Sequence, residues 1–187
     1  MDRGFAKSFF ICLIMWICLV LTIPLSAKEK FRARLLNASG PIQEKVITLV
    51  ISIENYTTAD EVRQMQQTLY SGGYSAFLKS FHEMNKGVVM FKSNRGFNLR
   101  INAAQSRTTE NGRKILVFTE RQSWSADITK NLSSRFLFMA IELEIDRDGK
   151  TKGRFYPGAN IQLSGKGTID LETFEAPRIF MGVRKLK

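Results

Sequence analysis

Few side chains in this sequence are of types that do chemistry. His82 is the only histidine, and both cysteines, Cys12 and Cys18, lie in an apolar N-terminal stretch. A multi-histidine zinc site cannot be assembled from that inventory, and no G-x-S-x-G segment is present to form a nucleophile elbow. His82 follows Phe81 at the end of a helical stretch, where a cation suits the helix dipole, so a surface or capping role is preferred to catalysis. Asp146-Arg147-Asp148-Gly149 begins like a calcium loop. Its sixth position would be Thr151 rather than glycine and its twelfth Pro157 rather than glutamate, so a hairpin turn explains it better. Gly165-Lys166-Gly167 lacks the strand, loop and helix of a phosphate-binding loop. Glu142 and Glu144 remain. On one strand face they would stand roughly 7 Å apart, a separation that suits an inverting glycosidase. Any two acids at i and i+2 on a strand share it, and a solvated polar face is the simpler reading. Neither a metal nor another cofactor is expected.

The elements that position these residues alternate with period two. From Leu137 through Met139, Ile141, Leu143 and Ile145 every second residue is apolar, the pattern of a half-buried strand, and it stops at Asp148-Gly149, a pair suited to a tight hairpin. The partner runs from about Lys152 to Leu163, with Pro157 and Gly158 marking a bulge or an edge. A similar hairpin is expected between residues 96–102 and 113–121 across Asn111-Gly112. Further strands are expected at residues 31–37, 45–55, 87–91, 167–174 and 178–185. About nine short strands with turn signals predict an α+β fold, mainly antiparallel β, forming a barrel or a sandwich. The run "VITLVISI" within 45–55 is apolar on both faces, which suits a central strand or one covered by helices.

Residues 58–83 change period and predict an inserted helical hairpin. Thr58-Ala59-Asp60-Glu61 is a capping box. Val62, Met65, Leu69 and Tyr70 form one apolar stripe, Gly72-Gly73 ends the first helix, and Tyr74, Phe77, Leu78 and Phe81 form a second stripe. Trp124 and Phe136 flank the polar stretch "SADITKNLSS". If the hairpin covers the mouth of a barrel, Tyr74, Phe77, Phe81, Trp124 and Phe136 are the candidate lining of an apolar ligand site; otherwise these aromatics simply fill the core.

Arg3 and Lys7 precede an apolar run of about 15 residues that closes on Ser26-Ala27, the pattern of a secretory signal peptide over 1–27. The run is shorter than the roughly 20 residues of a spanning helix. Cys12 and Cys18 each follow an isoleucine, which does not suit lipidation. Residues 28–187 then form a single exported domain, periplasmic or secreted, which holds no cysteine and must fold on its core alone. If the signal is not cleaved, it is the one expected attachment to a membrane.

The formal net charge of +11 favours anionic partners. The basic residues are dispersed, as at Arg32 and Arg34, Lys92 and Arg95, Arg113 and Lys114, and Lys150 and Lys152, which reads as a solvated surface. Export argues against nucleic acid and leaves anionic envelope components open.

With "ENYTTADEVRQ", "LYSGGYSAFLKSF", "GFNLRINAAQ", "ENGRKILVFTERQSW" and "IELEIDRDGKTKGRF", residues 28–187 resemble a family of exported acidobacterial proteins of unknown function. The resemblance implies an exported single domain and carries over no functional residue. Gln122 stands where relatives often have proline after the Thr119-Glu120-Arg121 corner, and Phe136–Phe138 where they often have a polar-Tyr-Pro element. The leading expectation is a non-enzymatic exported domain that binds a small apolar ligand or an envelope component. The alternatives are a carboxylate-dependent, carbohydrate-active hydrolase and an adhesive or scaffolding module for anionic envelope polymers.

Overall fold

Alternating residues do become strands, and the strands make a nearly closed, barrel-like sandwich. The structure, a computed structural model, describes residues 28–36, 46–92, 96–121, 137–173 and 176–187. The N-terminal segment 1–27, Trp124 and Phe136 lie outside the described residues. Sheet A has the order β11 (Arg184–Leu186), β1 (Glu29–Leu36), β2 (Val46–Ile53), β3 (Gly87–Lys92), β4 (Phe97–Ile101). Sheet B has the order β10 (Arg178–Ile179), β8 (Thr151–Ser164), β7 (Phe138–Asp146), β6 (Gly112–Glu120), β5 (Ala103–Thr109), with β9 (Thr168–Glu172) also paired to β8. Every pairing is antiparallel. "VITLVISI" is the central strand of sheet A, one of its two expected placements.

The expected hairpin between 96–102 and 113–121 does not form. β4 pairs with β3 in sheet A, and β6 pairs with β5, across a turn at Glu110-Asn111. The chain crosses between sheets at Asn102. Leu99, Ile101 and Ala103 keep one apolar period through that point, which hides the change of sheet. The opposite seam is closed by residues 178–186: β10 pairs with β8, β11 pairs with β1, and bridges join Leu35 to Phe180 and Thr151 to Val183. Pro157 and Gly158 form a bulge, since Phe138 pairs with Ala159 while Ala140 pairs with Tyr156.

The inner faces of both sheets enclose one apolar core, in which Phe31, Leu49, Ile51, Ile101, Val117 and Leu143 are fully buried. Phe91 of β3 meets Phe155 of β8 across it, with ring centroids 6.5 Å apart. A second core lies outside sheet B, where α1 (Ala59–Glu83) covers Leu116, Phe118, Phe138, Ala140, Tyr156 and Ile169. Central strands β6 and β7 are therefore buried on both faces, while among the described residues no helix lies on the outer face of sheet A.

The local rules for α1 hold. The Thr58 hydroxyl accepts from the Glu61 amide at 3.2 Å, and the Thr58 amide donates to the Glu61 carboxylate at 2.8 Å. The two helical segments meet at Gly73, whose φ of 71° is left-handed. Tyr70 corrects the expected stripe: it is 80% exposed, while Val62 and Met65 carry the burial. At the other end of the insert, Gly167 (φ 76°) lets the β8–β9 turn lie against the start of α1, because a Cβ there would come within 2.9 Å of the Ala59 Cα. Gly73→Ala is expected to lower unfolding free energy by about 1–2 kcal/mol, because an L side chain must take the left-handed conformation. Urea melts followed by circular dichroism measure this as a lower midpoint.

Candidate anion-binding face and its neighbouring sites

Strand register puts dispersed basic residues side by side. Directly opposed residues share a face in an antiparallel sheet, and on the outside of sheet A one such row reads Leu186, Lys30, Ser52, Val88, Arg100. The next reads Arg184, Arg32, Val50, Met90, Asn98, and the third Arg34, Thr48, Lys92. Lys30, Arg32, Arg34, Lys92, Arg100 and Arg184 are all exposed, and no aspartate or glutamate stands in any of the three rows. Arg34 donates to the Met181 carbonyl at 3.3 Å and Arg100 to the His82 carbonyl at 3.1 Å. None of the six has a carboxylate partner among the described residues. Val50 is only 5% exposed on this open face. In register it lies between Arg32 and Met90.

The outside of sheet B treats its cations differently. Arg107 pairs with Asp170 at 2.7 Å, Lys114 with Glu142, and Arg154 with both Glu142 and Glu144. Glu142 is 4% exposed, and its guanidinium and ammonium partners lie on the flanking strands β8 and β6. The hydrogen bonds that the Arg154 guanidinium donates to Glu144 and then Glu142 hold it well above its ordinary pKa. Glu142 and Glu144 thus share one cation on one strand rather than facing each other across a cleft.

Asn102, at the crossover, joins three elements. Its amide nitrogen donates to the carbonyls of Phe81 (3.0 Å), Met84 (3.3 Å) and His82 (3.4 Å), and its carbonyl accepts from the Glu120 amide at 3.0 Å. The amide therefore caps carbonyls at and just beyond the C-terminal end of α1, adding to the Met84 amide that the Phe81 carbonyl accepts at 3.2 Å. Beside it His82, Asn98, Arg100, Asn102 and Glu120 line a polar cavity of about 220 Å³. His82 Nδ1 and the Glu120 carboxylate are 2.5 Å apart, and both side chains are solvent-accessible.

Glu29 faces inward at the start of β1, where the barrel ends. It accepts from Arg113 (2.8 Å), Tyr56 (2.9 Å) and Lys185 (3.1 Å). Burial alone pushes its carboxyl upward; the bonds from Arg113, Tyr56 and Lys185 outweigh that and leave it below the ordinary value of 4.5. Burial, together with the Glu29 bond, raises the Tyr56 phenol. Glu61 is likewise lowered: burial opposes ionisation, but bonds from Lys86 and the Thr58 amide prevail. A carboxyl depressed in the folded state contributes stability above its unfolded pKa and loses it as pH falls through the folded one. Unfolding midpoints are accordingly expected to fall as pH drops below about 4.5, and Glu29→Gln is expected to flatten part of that acid limb while lowering stability at neutral pH. Urea melts across pH 3–7 provide the check.

Of the five aromatics proposed from sequence to line an apolar site, the structure brings Phe77 and Phe81 together and fills the space with them. They are 2% and 1% exposed, with ring centroids 5.8 Å apart, and Phe81 meets Phe138 edge-on at 4.9 Å. Both pack on the outer face of sheet B and not over the barrel mouth or "VITLVISI". Tyr74 lies 5.8 Å from Phe77 at the margin, 47% exposed. The alternation of Lys30, Arg32 and Arg34 is a sequence signal for a basic strand face. Nothing local announces that Lys92, Arg100 and Arg184 join it.

Among the described residues no group of three or more His, Cys, Asp or Glu is placed to hold a metal ion, and no helix is long and apolar enough to cross a membrane. Comparison with family models, with curated proteins and with solved structures returns no match to the chain.

Proposed function

We propose that this domain is a non-enzymatic binding module that engages an anionic envelope component through the outer face of sheet A. One observation carries the reading: six exposed cations on a sheet face that no helix among the described residues covers, with no aspartate or glutamate in its three rows. Guanidinium and ammonium groups held on β11, β1, β3 and β4 of one sheet, whose neighbouring strands lie about 4.8 Å apart, present a fixed field to a negative partner. Arg107, Lys114 and Arg154 on the outside of sheet B, by contrast, are already paired with Asp170, Glu142 and Glu144. Side chains that meet across the inner core, such as Phe91 and Phe155, leave the apolar-ligand reading less support. The sharing of Arg154 by Glu142 and Glu144 does the same for the hydrolase reading.

Chromatography on immobilised heparin tests the proposal. Retention at low salt is expected, with release as the screening length shrinks from about 10 Å at 0.1 M to about 3 Å at 1 M. Passage through the column at low salt would count against it.

A further inference from the structure

Sheet A's cationic face ends in an apolar corner. Leu36 (49% exposed) pairs directly with Val46 (38%) at the end of β1 and β2. The bridge between Leu35 and Phe180 sets Ile179 (61%) beside Leu36, and Met181 (39%) beside Arg34, whose carbonyl accepts the Met181 amide at 2.7 Å. The other large exposed apolar side chains among the described residues, Tyr70 and Tyr74, belong to α1. An isolated exposed aliphatic residue needs no explanation. Four that adjoin one another beside cations with no carboxylate partner among the described residues form a patch of the kind that marks an interaction surface.

Resting on the anionic-partner reading above, we infer that the partner is a lipid bilayer surface carrying anionic headgroups, with Leu36, Val46, Ile179 and Met181 entering its interface and Arg34 and Lys92 meeting its phosphates. The two chemistries select this partner together. A hydrated polyanion answers the cations and leaves the aliphatic corner in water. A bilayer surface offers phosphate and, a few ångströms deeper, an apolar boundary that accepts short aliphatic side chains. Arg34 and Lys92 share the row next to the corner, joined through Thr48, so charge and apolar contact are engaged at once. Each cation near an anionic leaflet adds about fivefold to partition.

Cosedimentation with vesicles of phosphatidylcholine and phosphatidylglycerol in equal parts, beside pure phosphatidylcholine vesicles and the heparin column, tests the inference. Binding to the mixed vesicles alone is expected. Ile179→Ser with Met181→Ser, both exposed positions, should reduce it about tenfold and leave heparin retention unchanged. Heparin retention without vesicle binding overturns the bilayer inference and leaves the anionic-partner reading standing. Vesicle binding that is indifferent to the double serine variant, or to headgroup charge, also overturns the inference. Loss of both heparin and vesicle binding overturns both.

Discussion

Phe81→Ala is expected to lower the unfolding free energy by about 4 kcal/mol, the largest effect of any single substitution considered. Phe81 is 1% exposed and meets Phe138 edge-on and Phe77 at an angle, so it joins α1 to the strand at the centre of sheet B. Alanine removes the ring's buried area and leaves a void between two layers whose backbones are fixed by sheet pairing and by the helix. Relaxation can close little of it. The expected reading is a lower urea midpoint with an unchanged slope; a loss under about 1 kcal/mol would mean that α1 is only loosely seated on the sheet.

Asn102→Ala comes next, at about 3 kcal/mol. The side chain is small, and packing accounts for little of that figure. Its amide serves the carbonyls of Phe81, His82 and Met84, and its oxygen takes the Glu120 amide, all around a residue that is 2% exposed. Truncation takes their partner from the Met84 carbonyl and the Glu120 amide, at a cost in desolvation, while the His82 carbonyl keeps Arg100 and the Phe81 carbonyl keeps the Met84 amide. Because Asn102 also sits at the crossing from sheet A to sheet B, hydrogen exchange should report faster opening at the C-terminal end of α1 and at β4 together. Protection that is lost in α1 alone would argue that the crossover is held by other contacts.

These two residues also show what was legible in the sequence. Phe81 was readable as a buried residue because helical spacing is local: Phe77 and Phe81 stand four apart, and the Thr58 and Glu61 capping pair fixes where the helix starts. The same holds for the Asp148-Gly149 turn and the alternation of β7. Which surface the helix covers was not legible, since both "VITLVISI" and residues 138–141 are apolar on two faces and only long-range pairing decides between them. Asn102 was missed because a polar residue between apolar neighbours looks like an ordinary outward position on a strand. Its burial comes from α1, far away in sequence. The basic face was missed for the related reason that Arg32, Lys92, Arg100 and Arg184 meet only once five strands are in register.

Binding to a polyanion should depend on where charge is placed, and not on how much there is. Two triple variants with the same change in net charge separate these. Arg32→Glu, Lys92→Glu and Arg184→Glu reverse three exposed cations on the sheet A face. Lys79→Glu, Lys150→Glu and Lys166→Glu reverse three exposed cations on α1 and on the turns at either end of β8. With folding verified by circular dichroism, heparin retention at low salt is expected to vanish for the first variant and to persist near the parent's elution position for the second. Equal loss from both would show that overall charge alone governs binding and would contradict the account.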